Sequence, residues 1–515
     1  MRKSGILMHI SSLPSSYGIG KFGKSAYKFV DFLEQCKIGL WQILPLSPTS
    51  YGDSPYQSFS AFAGNPYFID FEILEADGLL LKSDYLSIDW EKDPRKVDYE
   101  FLYDHVYETL RKAFAKFRPN QEYAVFELRT REWLDDYALF MALKFQNKGL
   151  PWYKWSKNLA FTKNEAIDKA KKSLSSEIKF HKFVQYCFYR QWKNLKNYAN
   201  SKGIQIVGDI PIYVAYDSVE VWKTPELFCL DNNKYPIAVA GCPPDSFSPS
   251  GQLWGNPLYD WRFHQRSDYE WWIKRLRQAT DIYDIVRIDH FRGFESYYSV
   301  PFGNQTAEMG IWQKGPDIEL FAKAERALGK LNIIAEDLGF ITPEVQRLLD
   351  RAGYPGMKVM QFAFSNPKNG YFPHNYTTTN CIAYTGTHDN DTLAGWYKTL
   401  DENTLNFCKA YLHVKNDSEI PYEMIRLAWS SIADSAIAQF QDFTGQGSEA
   451  RMNIPSTTCN NWTYRACESD FTTELKEKIL MLNILYNRCN RIIPKQERAD
   501  INEQTEFIKG FRSAT

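Results

Sequence analysis

Short apolar runs recur along the chain. They are rich in β-branched residues, and each ends in polar or charged positions followed by loop signals. They occupy residues 6–10, 39–46, 203–214, 284–291, 332–339, 357–364, 381–391 and 450–456. Continuous apolar runs of this length suit strands covered on both faces of a parallel sheet. Helical patterns lie between them. Residues 24–36 place Phe29, Phe32 and Leu33 on one face, and residues 176–202 repeat Phe180, Phe183, Val184 and Cys187 at three- and four-residue steps. Gly203 follows, where a helix C-terminus favours glycine. Residues 316–329, 342–352 and 421–440 also read as helices, and 470–489 as a closing helix. Strands alternating with helices predict an α/β fold, specifically a (β/α)8 TIM barrel.

The spacing is uneven. Residues 47–202 separate the second and third runs, far more than one crossover helix requires. A mostly helical insertion is expected over 66–176. Residues 217–262 are rich in Pro, Gly and aromatics without a clear period, which predicts a loop insertion near an active site. Both would belong to one catalytic barrel domain spanning 1–515.

Composition narrows the function classes. Hydrophobic residues make up 44% and charged residues 24%, ordinary globular usage that excludes a mainly disordered chain. A net charge of −1 without a long basic run argues against nucleic acid as a partner. No apolar stretch reaches the length of a membrane span, and the N-terminal one is too short for a secretory signal. The nine cysteines are scattered with no CxxC pair, which predicts reduced thiols and a cytoplasmic location.

Reactive residues of a barrel project from the C-terminal ends of its strands. Those ends carry Asp209, Arg287-Ile288-Asp289-His290, Glu336-Asp337 and His388-Asp389-Asn390-Asp391, and His9 ends the first run. Such a cluster allows a divalent metal site, a carboxylate pair acting on a glycosidic bond, or acids that merely cap helices. The Arg287–Asp289 pair helps to choose. Residues i and i+2 of a strand share a side, and an adjacent Arg favours an ionised carboxylate while repelling a cation. Glu336 follows Ile333-Ile334-Ala335, an apolar setting that raises a carboxyl pKa, as a general acid needs.

These three clusters resemble the catalytic regions of the α-amylase clan, and within it the 4-α-glucanotransferases, known as amylomaltase or disproportionating enzyme. Further segments carry the same resemblance over nearly the whole chain: His9-Ile10-Ser11-Ser12-Leu13-Pro14, Ser54-Pro55-Tyr56, Gly208-Asp209-Ile210-Pro211, Gly251-Gln252-Leu253-Trp254-Gly255-Asn256-Pro257 and Arg451-Met452-Asn453. The resemblance implies retaining transfer of an α-1,4-glucan segment from one maltooligosaccharide or starch-like glucan to the 4-hydroxyl of another. It implies Asp289 as nucleophile, Glu336 as general acid/base and Asp389 as a sugar-binding and ring-distorting group. Retention places the first two carboxyls about 5–5.5 Å apart. Arg287 would orient Asp289, and His388 and His290 would lie against the same sugar. Tyr56, with Ser54 in its turn, would contact sugar near the scissile bond. Trp254, flanked by glycines, would stack on a glucose ring, and Gln252 and Asn461 would bind sugar hydroxyls. No cofactor and no metal are implied. One departure concerns the last segment, Asn453-Ile454-Pro455-Ser456-Thr457, where many members read Asn-Thr-Pro-Gly-Thr, and it bears on the local turn. Asp70, Glu72 and Glu75 read as surface charges.

Overall fold

A computed structural model of the chain describes residues 2–50, 52–244, 248–457 and 459–489. Eight parallel strands form one sheet: Lys3–Leu7, Leu40–Gln42, Gln205–Pro211, Ile285–Asp289, Ile333–Ala335, Gly356–Val359, Cys381–Tyr384 and Ser435–Gln439. Neighbours in the sheet follow chain order, and the eighth strand pairs with the first. The fifth and sixth strands meet at a seam. There Ala335 N donates to Pro355 O at 3.0 Å, and Met357 N donates to Asp337 Oδ1 at 2.6 Å. The sheet is thus a nearly closed (β/α)8 barrel. Asp337, an acid on the same rim as Glu336, is spent on this seam. Gly356 is required beside it, because a Cβ would lie 2.3 Å from Asp337 Oδ2.

Helices cover the barrel where apolar periodicity predicts them. Lys24–Gln35 buries Phe29, Val30, Phe32 and Leu33. Ser175–Ser201 leads into the third strand, Glu270–Ile282 into the fourth and Ile318–Leu328 into the fifth. Pro343–Ala352 shows the local logic. Thr342 Oγ1 accepts from Val345 N, Pro343 fills the first turn, and Gly353 ends the helix in the left-handed region at φ +68°.

Two sequence expectations require correction. Residues 450–456 contain no strand, and 421–440 is not one helix. The helix spans Ile420–Ser430, and the eighth strand is Ser435–Gln439, within the stretch read as helix. Its alternation of Ser, Ala, Ile, Ala and Gln lacks a β-branched run, and alanine favours helices. Only its place between the first and seventh strands, buried throughout, makes it a strand. Asp70 is also not a surface charge. It is buried, with its side chain accepting from Ile73 N at the start of the helix Phe71–Ala76.

Within 66–176, the long helices Tyr99–Lys116 and Gln121–Gln146 lie near Ser175–Ser201. Phe114 and Phe117 pack on Phe180 and Phe183, and Arg111 bonds both oxygens of Glu177. Residues 217–262 hold strands the sequence did not announce. Ala238–Cys242 and Gln252–Pro257 join Ser296–Pro301 and Ile311–Lys314 in a separate antiparallel sheet beside the barrel mouth. Its own small core is Val239, Tyr298, Val300 and Ala307.

Candidate active site at the barrel mouth

The third and fourth strands bring the first charges together by register. Asp209 pairs with Arg287, and Pro211 with Asp289. Arg287, almost fully buried, sits between two carboxylates. One guanidinium nitrogen donates to Asp209 Oδ2, and the other lies 3.0 Å from Asp289 Oδ1. Removing a guanidinium from water is costly unless it is paired, and here it is paired twice. The Asp289 side chain is 30% exposed, so its carboxylate stays reachable from solvent while Arg287 holds it. The third strand can approach this closely because residue 208 is glycine, where a Cβ would strike the Tyr283 ring at 2.1 Å.

Glu336 follows the fifth strand and is buried. His290 N donates to its Oε2 at 2.7 Å, and Leu338 N donates to its Oε1 at 2.7 Å. His290 takes a left-handed turn at φ +53°, and that turn aims its amide at the carboxyl. Non-glycine residues adopt this conformation at a cost, and such strain concentrates at functional sites. Burial, aided by the negative charge of Asp289, pushes Glu336 up to about 8, against the pull of Arg287 and the two amides. Burial also raises Asp209, opposed by Arg287. Its Oδ1 is buried without a hydrogen-bond partner.

The seventh strand supplies the opposite wall. His388 Nε2 lies 3.3 Å from Asp389 Oδ1, and Asn453 Nδ2 donates to the same oxygen at 2.6 Å. Arg451 Nη2 fixes the Asp389 carbonyl at 2.6 Å. The Asp389 side chain is 45% exposed. Tyr56 joins the two walls: its hydroxyl donates to Asp209 Oδ2 at 2.8 Å, and its ring stacks on His388 at 5.0 Å. Trp462 packs on both rings. Burial holds His388 below the usual histidine range despite Asp389, and pushes His290 down to about 3. Both rings are therefore neutral hydrogen-bonding groups at neutral pH.

The remaining sequence candidates divide. Trp254 packs edge-on against His290 at 4.7 Å, and its Nε1 donates to Gln252 Oε1 at 3.1 Å. Ser54 Oγ accepts from Tyr56 N at 3.2 Å, so it shapes the turn that carries Tyr56. Asn461 braces its own loop. Its Oδ1 accepts from Ile454 N, and its Nδ2 donates to Thr457 O and Oγ1. That loop replaces the expected glycine by Ser456, which sits at φ +65°, and Asn461 ties the turn together. His9 is also structural: its Nδ1 accepts from Leu44 N, and burial lowers it to about 3. Asp209, named among the strand-end acids but given no role, and Asn453 and Trp462, not read as site residues, also stand in the site. Asp209 and Asn453 lie in recognisable segments, but their partners depend on strand register and loop path. Among the described residues, no group of three or more His, Cys, Asp or Glu could hold a metal ion, and no helix is long and apolar enough to cross a membrane.

Comparisons with known proteins identify the fold and the family. The sequence profile of a family described as 4-alpha-glucanotransferase matches residues 8–469. A 4-alpha-glucanotransferase of Clostridium butyricum is 49% identical over 487 residues, covering 94% of this chain and all of the relative. One from Streptococcus pneumoniae is 47% identical over 494 residues, covering 95% and 98%. The solved structure of an amylomaltase from Streptococcus agalactiae in complex with acarbose superposes with a TM-score of 0.93 at 44% identity, covering 95% of this chain and 100% of that one. With a profile match that starts just after the first strand and runs beyond Trp462, and relatives aligned nearly end to end, this chain belongs to the 4-α-glucanotransferase family.

Proposed function

We propose that this 4-α-glucanotransferase works by double displacement, with Asp289 as nucleophile and Glu336 as acid/base. The observation that carries the assignment is the contrast between the two carboxyls. Asp289 has a guanidinium 3.0 Å from one oxygen and a side chain 30% exposed, whereas Glu336 is buried and raised to about 8. Two carboxyl groups in opposed environments divide the work of an ionised nucleophile and a protonated acid.

In the first step Asp289 Oδ2 attacks C1 of the glucose at the scissile α-1,4 bond. The C1–O4 bond breaks, and Glu336 gives its proton to the departing O4. The donor segment remains as a β-glucosyl ester on Asp289. In the second step the 4-hydroxyl of another glucan attacks C1. Glu336, now the anion, takes that proton, and Asp289 leaves as carboxylate. Two inversions give net retention. Arg287 supplies the countercharge for the Asp289 carboxylate that attacks in the first step and leaves in the second. Asp389, held by Asn453 and His388, accepts from hydroxyls of the same sugar. Trp254 and Gln252 cover it from the side sheet, and Tyr56 lies against it. The substrates on this reading are maltooligosaccharides and starch-like α-1,4-glucans. A cytosolic location fits the odd, scattered cysteines.

The test is incubation with pure maltotriose, following the product ladder and total reducing ends. Transfer gives longer and shorter glucans plus glucose at constant reducing ends. Asp289→Asn is expected to lower kcat by about 10⁴-fold or more while still binding glucan. Rising reducing ends without longer products would make the chain a hydrolase, and full activity in Asp289→Asn would remove Asp289 from its role.

A further inference from the structure

Two large aromatic residues stand in solvent beside the catalytic strand ends, and one buried cation fastens both. Trp312 lies on Ile311–Lys314, the edge strand of the side sheet, and is 40% exposed. Its ring centroid is 3.9 Å from the Arg292 guanidinium carbon and 5.1 Å from the Tyr298 ring. Phe340 is 73% exposed, and Arg292 Nη1 donates to its carbonyl at 2.6 Å. Arg292 itself is buried and also donates to Ser296 Oγ at 3.1 Å. It follows Asp289 by three residues, a reach of at most about 11 Å, and Phe340 follows Glu336 by four, at most about 14 Å.

Shielding Arg292 accounts for the face of Trp312 turned towards it. It does not account for Phe340, whose ring gains nothing from the bond its carbonyl accepts. Exposing one large apolar ring is ordinary, but exposing two that share an anchor on the catalytic turn is not. Both rings are uncharged, Trp312 is held by Arg292 and Tyr298 and Phe340 through its carbonyl, and Arg292 lies three residues beyond Asp289. Flat aromatic faces complement the C–H faces of sugar rings, and no charge is needed to hold a neutral polysaccharide.

We propose that Trp312, with Phe340 beside it, is a binding surface for outlying glucose units of the α-glucan chain engaged at Asp289 and Glu336. The inference rests on the assignment of those two carboxyls as the reaction centre. On this proposal Trp312 is a determinant of chain-length preference, because a longer glucan gains a contact there that a shorter one gains less of.

The test compares kcat/KM on maltotriose and maltoheptaose for the full-length protein, Trp312→Ala, Trp312→Phe and Phe340→Ala. Trp312→Ala is expected to lower the heptaose-to-triose ratio about tenfold, with Trp312→Phe restoring most of it and Phe340→Ala giving a smaller fall. Calorimetry in the Asp289→Asn background should show the same loss in maltoheptaose binding without turnover. Equal falls on both substrates would reduce Trp312 to a prop for Arg292, and unchanged ratios in all three variants would show that the surface does not meet glucan. A dimer in sedimentation that Trp312→Ala dissociates would make the patch a contact between two copies, overturning the proposal. Retained turnover in Asp289→Asn would instead strike the reaction centre itself, so the two failures are distinguishable.

Discussion

The two walls of the barrel mouth hold their carboxyls by different means. On the wall of the third to fifth strands, Glu336 is buried and receives two main-chain amides, and Arg287 is locked between Asp209 and Asp289. On the wall of the seventh strand, Asp389 is nearly half exposed and is held by the Asn453 amide and His388. The first wall suits proton and bond exchange, since burial magnifies every charge and fixes which group holds the proton. The second suits binding and release of sugar hydroxyls, which must exchange with water in each cycle. On the proposed mechanism, chemistry and substrate handling thus fall to different walls of one mouth.

The largest expected effect breaks the first wall. Glu336→Gln should lower kcat/KM on maltooligosaccharides by about 10⁴-fold, yet leave much of the glucosylation rate with α-glucosyl fluoride, whose leaving group needs no proton. Equal loss on both donors would mean that Glu336 is not the acid. A pH profile tests the same wall without mutation. On the proposed mechanism Glu336 must be protonated to start the cycle, and burial raises its carboxyl to about 8. The rate should therefore hold up to neutral pH and fall as pH rises through about 8, and a descending limb near 5 would refute the assignment. Next comes Asp209→Asn, which removes one of the two charges bracketing Arg287. A charged hydrogen bond is worth about 1.5–3 kcal/mol, so a loss of about tenfold to a hundredfold in kcat is expected, with KM little changed.

The second wall should respond in KM. Asn453→Ala frees the Asp389 carboxylate from its amide, and about a tenfold rise in KM for maltotriose is expected, with a smaller change in kcat. A dominant kcat effect would erase the distinction between the walls. The smallest effect lies behind that wall. Ser456 holds φ +65° in the turn that Asn461 braces. Ser456→Gly should relieve about 0.5–1 kcal/mol of local strain and slow hydrogen exchange at the Ile454 amide, and faster exchange there would show that the serine turn is unstrained.

Much of the site was legible because strand ends carry their chemistry in contiguous residues. Arg287, Asp289, His290, Glu336, His388 and Asp389 are each visible beside the apolar run that delivers them. What the Asn461 side chain bonds within the protein was not legible, because an amide in a loop gives no sign of its partners, and here it serves the 454–457 turn. The eighth strand was misplaced because Ser435–Gln439 is strand by neighbourhood and not by propensity. The side sheet was invisible for a similar reason: its strands come from two separated stretches, and neither is amphipathic enough to announce a partner.

The sequence by itself determined the barrel class, the carboxyl groups and the strand ends that carry them, since apolar runs and the residues ending them are local properties. Only the tertiary structure decided that Asp209 opposes Arg287, that a left-handed His290 gives its amide to Glu336, and that Asn453 returns to Asp389. Register, burial and the meeting of distant loops depend on how the whole sheet closes, and the protonation of a carboxyl follows from that closure.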